Sequence, residues 1–276
     1  MLSVRELLEA GAHFGHQTHR WNPKMKPFIY GSRNGIYIIN LQKTAQLWAK
    51  GYKAIVDVVR GGQKILFVGT KPQAQDIIRE EAERSAQYYV DRRWLGGMLT
   101  NFSTIKSRID RLDELNKMKE TDQYQKFVKK EAVQLEKLRM KLDKALAGIK
   151  TMHRVPGLLV VVDPKTEHIA VSEARKLQIP IVAITDTNCD PDGIDYVIPA
   201  NDDAIKSLRL FLHAAAEACL EGQRALELRI QQETRHTTES EEPSAASGGA
   251  SGSGSRFAIT DQVSEEAERL AASPTE

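Results

Sequence analysis

Short, almost purely apolar runs alternate along this chain with segments of helical periodicity, and this alternation constrains the fold more than any other feature. The runs are IYIINL (36–41), KILFVG (64–69), LLVVVD (158–163) and IPIVAIT (179–185), with a shorter YYV at 88–90. A strand that is apolar on both faces needs cover on both sides, which is the situation of a parallel sheet between helices. The intervening segments fit that cover. Residues 44–59 place Ala45, Leu47, Trp48, Tyr52, Ile55 and Val59 at helical spacing. A second helix starts at Pro72, where a proline in the first turn loses no internal hydrogen bond, and runs to about 86. Helices are also expected at 167–177 and from about 202 to 226, the last capped by Asn201. Strand–helix alternation of this length implies right-handed crossovers. The reading is an α/β fold with five main parallel strands, 36–41 among them, and a short edge piece at 196–198.

Residues 104–150 interrupt the alternation. Ile105, Ile109, Leu112 and Leu115 recur every three or four positions. After a polar break near Thr121-Asp122, Val128, Leu135, Leu138, Leu142, Ala145 and Ile149 fall near heptad positions. Two narrow stripes joined by a turn describe an antiparallel, coiled-coil-like hairpin inserted in the sheet domain. From 106 to 150 there are 13 basic and eight acidic residues, so the hairpin is basic. It reads either as a lever reaching RNA or a protein, or as a solvated pair of helices whose charges only keep it soluble.

Charge is unevenly placed. The chain carries 39 Lys and Arg against 37 Asp and Glu, but residues 231–276 hold nine acidic and three basic ones, which leaves the first 230 residues at +8. A basic body with an acidic tail favours nucleic acid over a small metabolite as partner. The tail, with SAASGGASGSGS at 244–255, has the composition of a flexible segment; Phe257, Ile259, Val263 and Leu270 could form a short docking helix within it. The expected organisation is a sheet domain from 1–103 and 151–230, a hairpin at 104–150 and a flexible tail at 231–276. No apolar run is long enough to span a membrane, and the N-terminus lacks a secretory core, so a cytoplasmic protein is expected. Two cysteines, Cys189 and Cys219, do not make a disulfide framework.

Two stretches carry candidate chemistry. The first, AGAHFGHQTHRWNPKMKPFIYGSRNG, precedes the first apolar run and is too rich in Gly, Pro and Asn to be regular throughout. As an extended arm it would set His16, His19, Arg20, Lys24, Lys26 and Arg33 against phosphates and Trp21 against a base; as a bland polar loop it would be packed by Phe14, Trp21 and Phe28. His13, His16 and His19 are spaced by three, but no acidic or cysteine ligand is near in sequence, so a metal is not expected there. The second stretch, RRWLGGMLTNFSTI (92–105), joins a strand to the hairpin. Arg92, Arg93, Trp94 and Asn101, with Lys106 and Arg108 beyond, are candidate RNA contacts, and Gly96-Gly97 permits a tight backbone; the plainer reading is an elbow around a core tryptophan. The loop DTNCDPDGID (186–195) resembles a calcium loop, but no register supplies both its glycine and its terminal glutamate. Neither G-x-G-x-x-G nor G-x-x-x-x-G-K-[ST] follows any strand. An enzyme acting on a phosphorylated small molecule, with Asp163 and Asp186 at strand ends, is therefore a weaker reading, and so is an adaptor that binds only protein.

The residues at 10–44 (AGAHFGHQTHRWNPKMKPFIYGSRNGIYIINLQKT), 67–75 (FVGTKPQAQ), 92–105 and 179–204 (IPIVAITDTNCDPDGIDYVIPANDDA) together resemble the bacterial small-subunit ribosomal protein two family, in order, over about residues 1–228. The resemblance implies a flavodoxin-like parallel sheet with a coiled-coil hairpin, no enzymatic activity, no cofactor and no small-molecule substrate. It also implies binding to small-subunit ribosomal RNA near the head–body junction, and a part in holding the largest small-subunit ribosomal protein on a cytoplasmic ribosome. The tail lies outside it.

Overall fold

The structure, a computed structural model, describes residues 2–121 and 127–240, with side chains of the last helix through residue 232. Its centre is a five-stranded parallel sheet in the order β5-β4-β6-β7-β8. The strands are β4 (Ile65–Val68), β5 (Tyr88–Val90), β6 (Leu158–Val162), β7 (Ile181–Thr185) and β8 (Tyr196–Pro199). Numbered within the sheet this is the flavodoxin-like order 2-1-3-4-5, with its switch point between β4 and β6. Five parallel strands are thus present, but not the expected five. Residues 36–39 instead form β3 of a separate antiparallel sheet, between β1 (Phe14–Gln17) and β2 (Ile29–Arg33). The expected edge piece at 196–198 is a full strand, paired with β7 from Tyr196 to Pro199. An apolar run bounded by Gly and Asn gives a strand but not its partner; β3 is only half-buried except at Ile39.

Alternate side chains of the parallel strands feed two cores. On one face Ile65, Phe67, Val160, Val162, Val182 and Ile184 pack under α2 (Leu41–Arg60), α3 (Pro72–Arg84) and α7 (Ile205–Ser240), with Trp48, Phe67 and Phe211 the largest fully buried groups. On the other, Leu66, Val68, Val161, Ile181 and Ala183 pack under α6 (His168–Lys176), the 92–105 stretch and the base of the hairpin. The period of two within each run and of about 3.6 within each cover produces this helix–sheet–helix sandwich. The N-terminal α1 (Val4–Glu9) is closed by a Ser3–Glu6 capping box and buries Leu7, while Val4 and Leu8 remain exposed.

The inserted segment forms α4 (Phe102–Glu120) and α5 (Lys129–Leu146). They run antiparallel: Lys119 donates to Glu136 at 3.0 Å and Arg139 to Asn116 at 3.3 Å. Ile105, Ile109 and Leu112 belong to the second core. The turn expected at Asp122 lies outside the described residues. Helix α7 continues through Ser240, past both the expected end near 226 and the composition change at 231. The glycine-rich stretch at 244–255 and the apolar positions from Phe257 to Leu270 lie outside the described residues. Cys189 and Cys219 are fully buried, and burial pushes both thiols well above their ordinary pKa. Among the described residues no helix is long and apolar enough to cross a membrane.

Candidate nucleic-acid interface

The 92–105 elbow is built around one carboxylate. Glu173, on α6, accepts from Trp94 Nε1 (3.1 Å), from the backbone N–H of Gly97 (2.7 Å), Leu99 (3.0 Å) and Thr100 (3.1 Å), and from the Thr100 hydroxyl (3.1 Å). Burial alone would raise its pKa, but the hydrogen bonds from Trp94, Thr100, Leu99 and Gly97 outweigh that and hold it below the ordinary glutamate value. A buried carboxylate is tolerable because its lone pairs are filled. Gly97 takes φ +83°, a left-handed angle, so that its N–H reaches Glu173; Gly96 has ordinary backbone and open space around it. Only one of the two glycines is therefore required by geometry. Trp94 is 7% exposed and contributes its ring to the second core, as the plainer reading of the elbow had it.

The elbow leaves its arginines outside. Arg92 donates to Gln75 at 2.8 Å and lies 3.5 Å from Asp91. Arg92, Arg93, Gln75 and Leu95 line one wall of a cleft of about 590 Å³, and Lys141, Lys144 and Ala145 from α5 line the other. Four cations from two elements converge on this space. Sequence reasoning missed Lys141 and Lys144: in a lysine-rich helix nothing singles them out until the hairpin folds back beside the elbow. Asn101 precedes α4 and accepts from the Thr104 hydroxyl at 2.9 Å, so its side chain serves the helix start. Lys106 and Arg108 are exposed on α4.

The N-terminal arm lies along the carboxyl ends of the parallel strands, where ligands of such sheets usually bind. Its backbone is fastened there: the His16 N–H donates to Thr187 Oγ1 at 2.9 Å and the Asn22 N–H to the Thr187 carbonyl at 2.8 Å. Gly15 makes the close approach possible, since a Cβ there would stand 2.6 Å from Thr187 Cγ2. Lys24 bonds Asp190 (2.8 Å) and Asp192 (2.5 Å), tying the arm to the 186–195 loop; hydrogen bonds to Asp190 and then Asp192 raise its pKa. Trp21, half-buried, packs against Tyr37 with ring centroids 5.1 Å apart and the planes tilted by 43°. His19, Arg20, Lys26 and Arg33 are exposed.

Under the arm is a carboxylate cluster. Lys71, just after β4, sits 2.7 Å from Asp202, 2.8 Å from Asp203 and 3.3 Å from Asp163. His16 Nδ1 lies 2.9 Å from Asp186 Oδ2, and its Nε2 lies 3.6 Å from Asp203 Oδ2. The hydrogen bond to Asp186 raises the imidazole pKa, against the effect of burial. Burial, with Asp186 and Asp163 nearby, pushes Asp202 up to about 7. His13 and His19 do not join His16: His13 packs on Phe14, with ring centroids 4.0 Å apart, and burial lowers its pKa. The histidine trio is thus not a unit, and the acidic partners of His16 come from strand ends far along the chain.

The family described as ribosomal protein S2 matches residues 7–222. The small ribosomal subunit protein uS2 of Geotalea uraniireducens (strain Rf4) is 59% identical over 233 residues, covering 84% of this chain and 91% of that protein. The protein of the same name from Sorangium cellulosum (strain So ce56) is 58% identical over 221 residues, 80% of each chain.

Proposed function

The chain belongs to the ribosomal protein S2 family, and from that premise we propose that its arm and its elbow–hairpin cleft bind small-subunit ribosomal RNA, while the sheet domain seats neighbouring small-subunit proteins, the largest of them included. The family is a non-enzymatic component of the small ribosomal subunit and serves translation in the cytoplasm. One observation carries the RNA reading: Arg92, Arg93, Lys141 and Lys144 converge on one cleft from two elements. Guanidinium forks and ammonium groups at such density suit phosphate oxygens. His19, Arg20, Lys26 and Arg33 on the arm, and Lys106 and Arg108 on α4, extend the basic surface. His16, Lys24 and Trp94 hold that surface in place rather than touch RNA, because their polar groups are engaged within the protein, whereas Asn101, exposed and using its Oδ1 on the Thr104 hydroxyl, stays among the RNA contacts. Trp21, packed on Tyr37, serves the arm in the same way. Seating of the largest small-subunit protein rests on the family resemblance. In this reading the hairpin (104–150) is an arm of its own and the sheet (1–103 with 151–230) the rigid body that carries it.

The test is co-sedimentation with small subunits stripped of this protein, over a salt series, for the wild type and for a variant with Arg92, Arg93, Lys141 and Lys144 changed to Gln. Each lost phosphate contact should flatten the log–log salt slope by roughly 0.7–0.9. An unchanged slope in a folded variant would remove the cleft from the interface, and failure of the wild type to bind would remove the RNA reading altogether.

A further inference from the structure

Three side-chain atoms at the carboxyl end of the sheet are arranged as ligands. Asp186 has Oδ1 occupied by the Thr187 N–H (2.5 Å) and hydroxyl (3.1 Å), which turns Oδ2 toward His16. Asp202 is fully buried; Lys71 occupies its Oδ1, and its Oδ2 has no hydrogen-bond partner. A buried carboxylate oxygen left unpaired is costly, and each such atom in a folded protein calls for an explanation. His16 offers Nδ1 to the same space, while its Nε2 faces the Asp203 carboxylate at 3.6 Å. One ligand atom from each of His16, Asp186 and Asp202 lies within 4.8 Å of the others. A carboxylate behind the far nitrogen of a ligating imidazole is the usual way such a ring is oriented and made more basic.

We propose that His16, Asp186 and Asp202 hold a divalent transition-metal ion of the zinc class, which clamps the N-terminal arm onto the carboxyl end of the sheet. The donor set selects the ion: one imidazole nitrogen with two carboxylate oxygens suits zinc-like metals, whereas magnesium and calcium prefer oxygen alone. Charge agrees. Asp163, Asp186, Asp202 and Asp203 surround a single ammonium, Lys71, and one imidazole. A dication meets that excess without displacing Lys71, because Lys71 uses the other oxygen of Asp202. An adjoining cavity of about 310 Å³, lined in part by His16, Arg20, Asp186 and Asp203, gives the ion a way in. The neighbouring group of Asp163, Cys189 and Asp202 is a poorer site. Its thiol is held protonated by burial and by Asp163, and a metal binds the thiolate. The three ligands come from the arm, from the end of β7 and from the loop after β8, so the ion would cross-link segments some 170 positions apart.

The test uses the purified full chain, dialysed against a chelator and then titrated with zinc chloride by calorimetry and with cobalt(II) by visible absorption. His16→Gln and Asp202→Asn are measured beside it; Asn at 202 can still accept from Lys71. One ion per chain, bound at micromolar concentration or tighter, and weakened at least tenfold by each variant, is the expected result. Absence of saturable binding by the folded chain overturns the proposal. So does equal affinity in both variants, which would place the metal on other histidines, or competition by magnesium at equal concentration. If Asp202→Asn does not fold, His16→Gln decides alone, since its side chain lies at the edge of the cluster and is 16% exposed. The result is independent of whether the protein binds RNA.

Discussion

Gly97 holds φ +83°, and a Cβ built on it would lie 3.2 Å from Cβ of Asn101, whereas a Cβ on Gly96 meets nothing within 4 Å. Alanine at 97 should therefore destabilise the fold by about 1–2 kcal/mol through the left-handed angle, and alanine at 96 should change it by less than about 0.5 kcal/mol. Paired urea denaturation curves read this contrast; equal effects would mean the elbow is not held as described. The same elbow gives a second prediction. Glu173→Gln keeps the size of the side chain but turns an amide NH2 against backbone N–H donors, and should cost roughly 3 kcal/mol at neutral pH. Because the folded pKa of Glu173 lies below its unfolded value, its contribution is complete above the ordinary glutamate range. It is lost as pH falls through the lowered folded value. The gap between wild type and variant, followed by denaturation at a series of pH values, should be wide at pH 7 and close in acid; a gap independent of pH would assign the loss to packing instead. Nothing in the sequence marks Glu173, because one glutamate in a short charged helix looks like any other until the 92–105 stretch folds over it.

At the scale of elements, the periodicities located the five strands of the parallel sheet and the main helices that cover it, since each apolar run must be covered and the period names the cover. Pairing was legible only in part. Residues 36–39 have the composition of a buried parallel strand, yet they lie in the small antiparallel sheet, because β1 and β2 from the Gly- and Pro-rich arm supply partners that the arm's composition hid. The hairpin was legible as two stripes, although Val128 and Leu138 of the second are exposed, but its relation to the sheet was not. The second core reaches it only as far as Leu112 on α4 and Leu142 on α5. Replacing residues 117–138 by a short Gly/Ser link should therefore leave the denaturation midpoint of the sheet domain almost unchanged. A large drop would show that the distal hairpin supports the body.

Over the whole molecule, charge was readable from composition and its placement was not: the cleft cations come from stretches about 50 positions apart, and the carboxylates beneath the arm come from three strand ends, those of β6, β7 and β8. Residues 241–276 hold seven acidic and two basic residues. A chain ending at residue 240 should bind RNA more tightly at low salt, an advantage that disappears as salt screens the charges. Titrations of both lengths at two ionic strengths read this, and a gain that persists at high salt would point to something other than charge. Finally, the two sulfhydryls of this protein are fully buried and kept protonated by that burial. Thiol-directed dyes act on accessible thiolates, so a single cysteine introduced on the outer face of the hairpin would be the one position they mark. The native protein is thus ready for site-specific fluorescence without first removing Cys189 or Cys219.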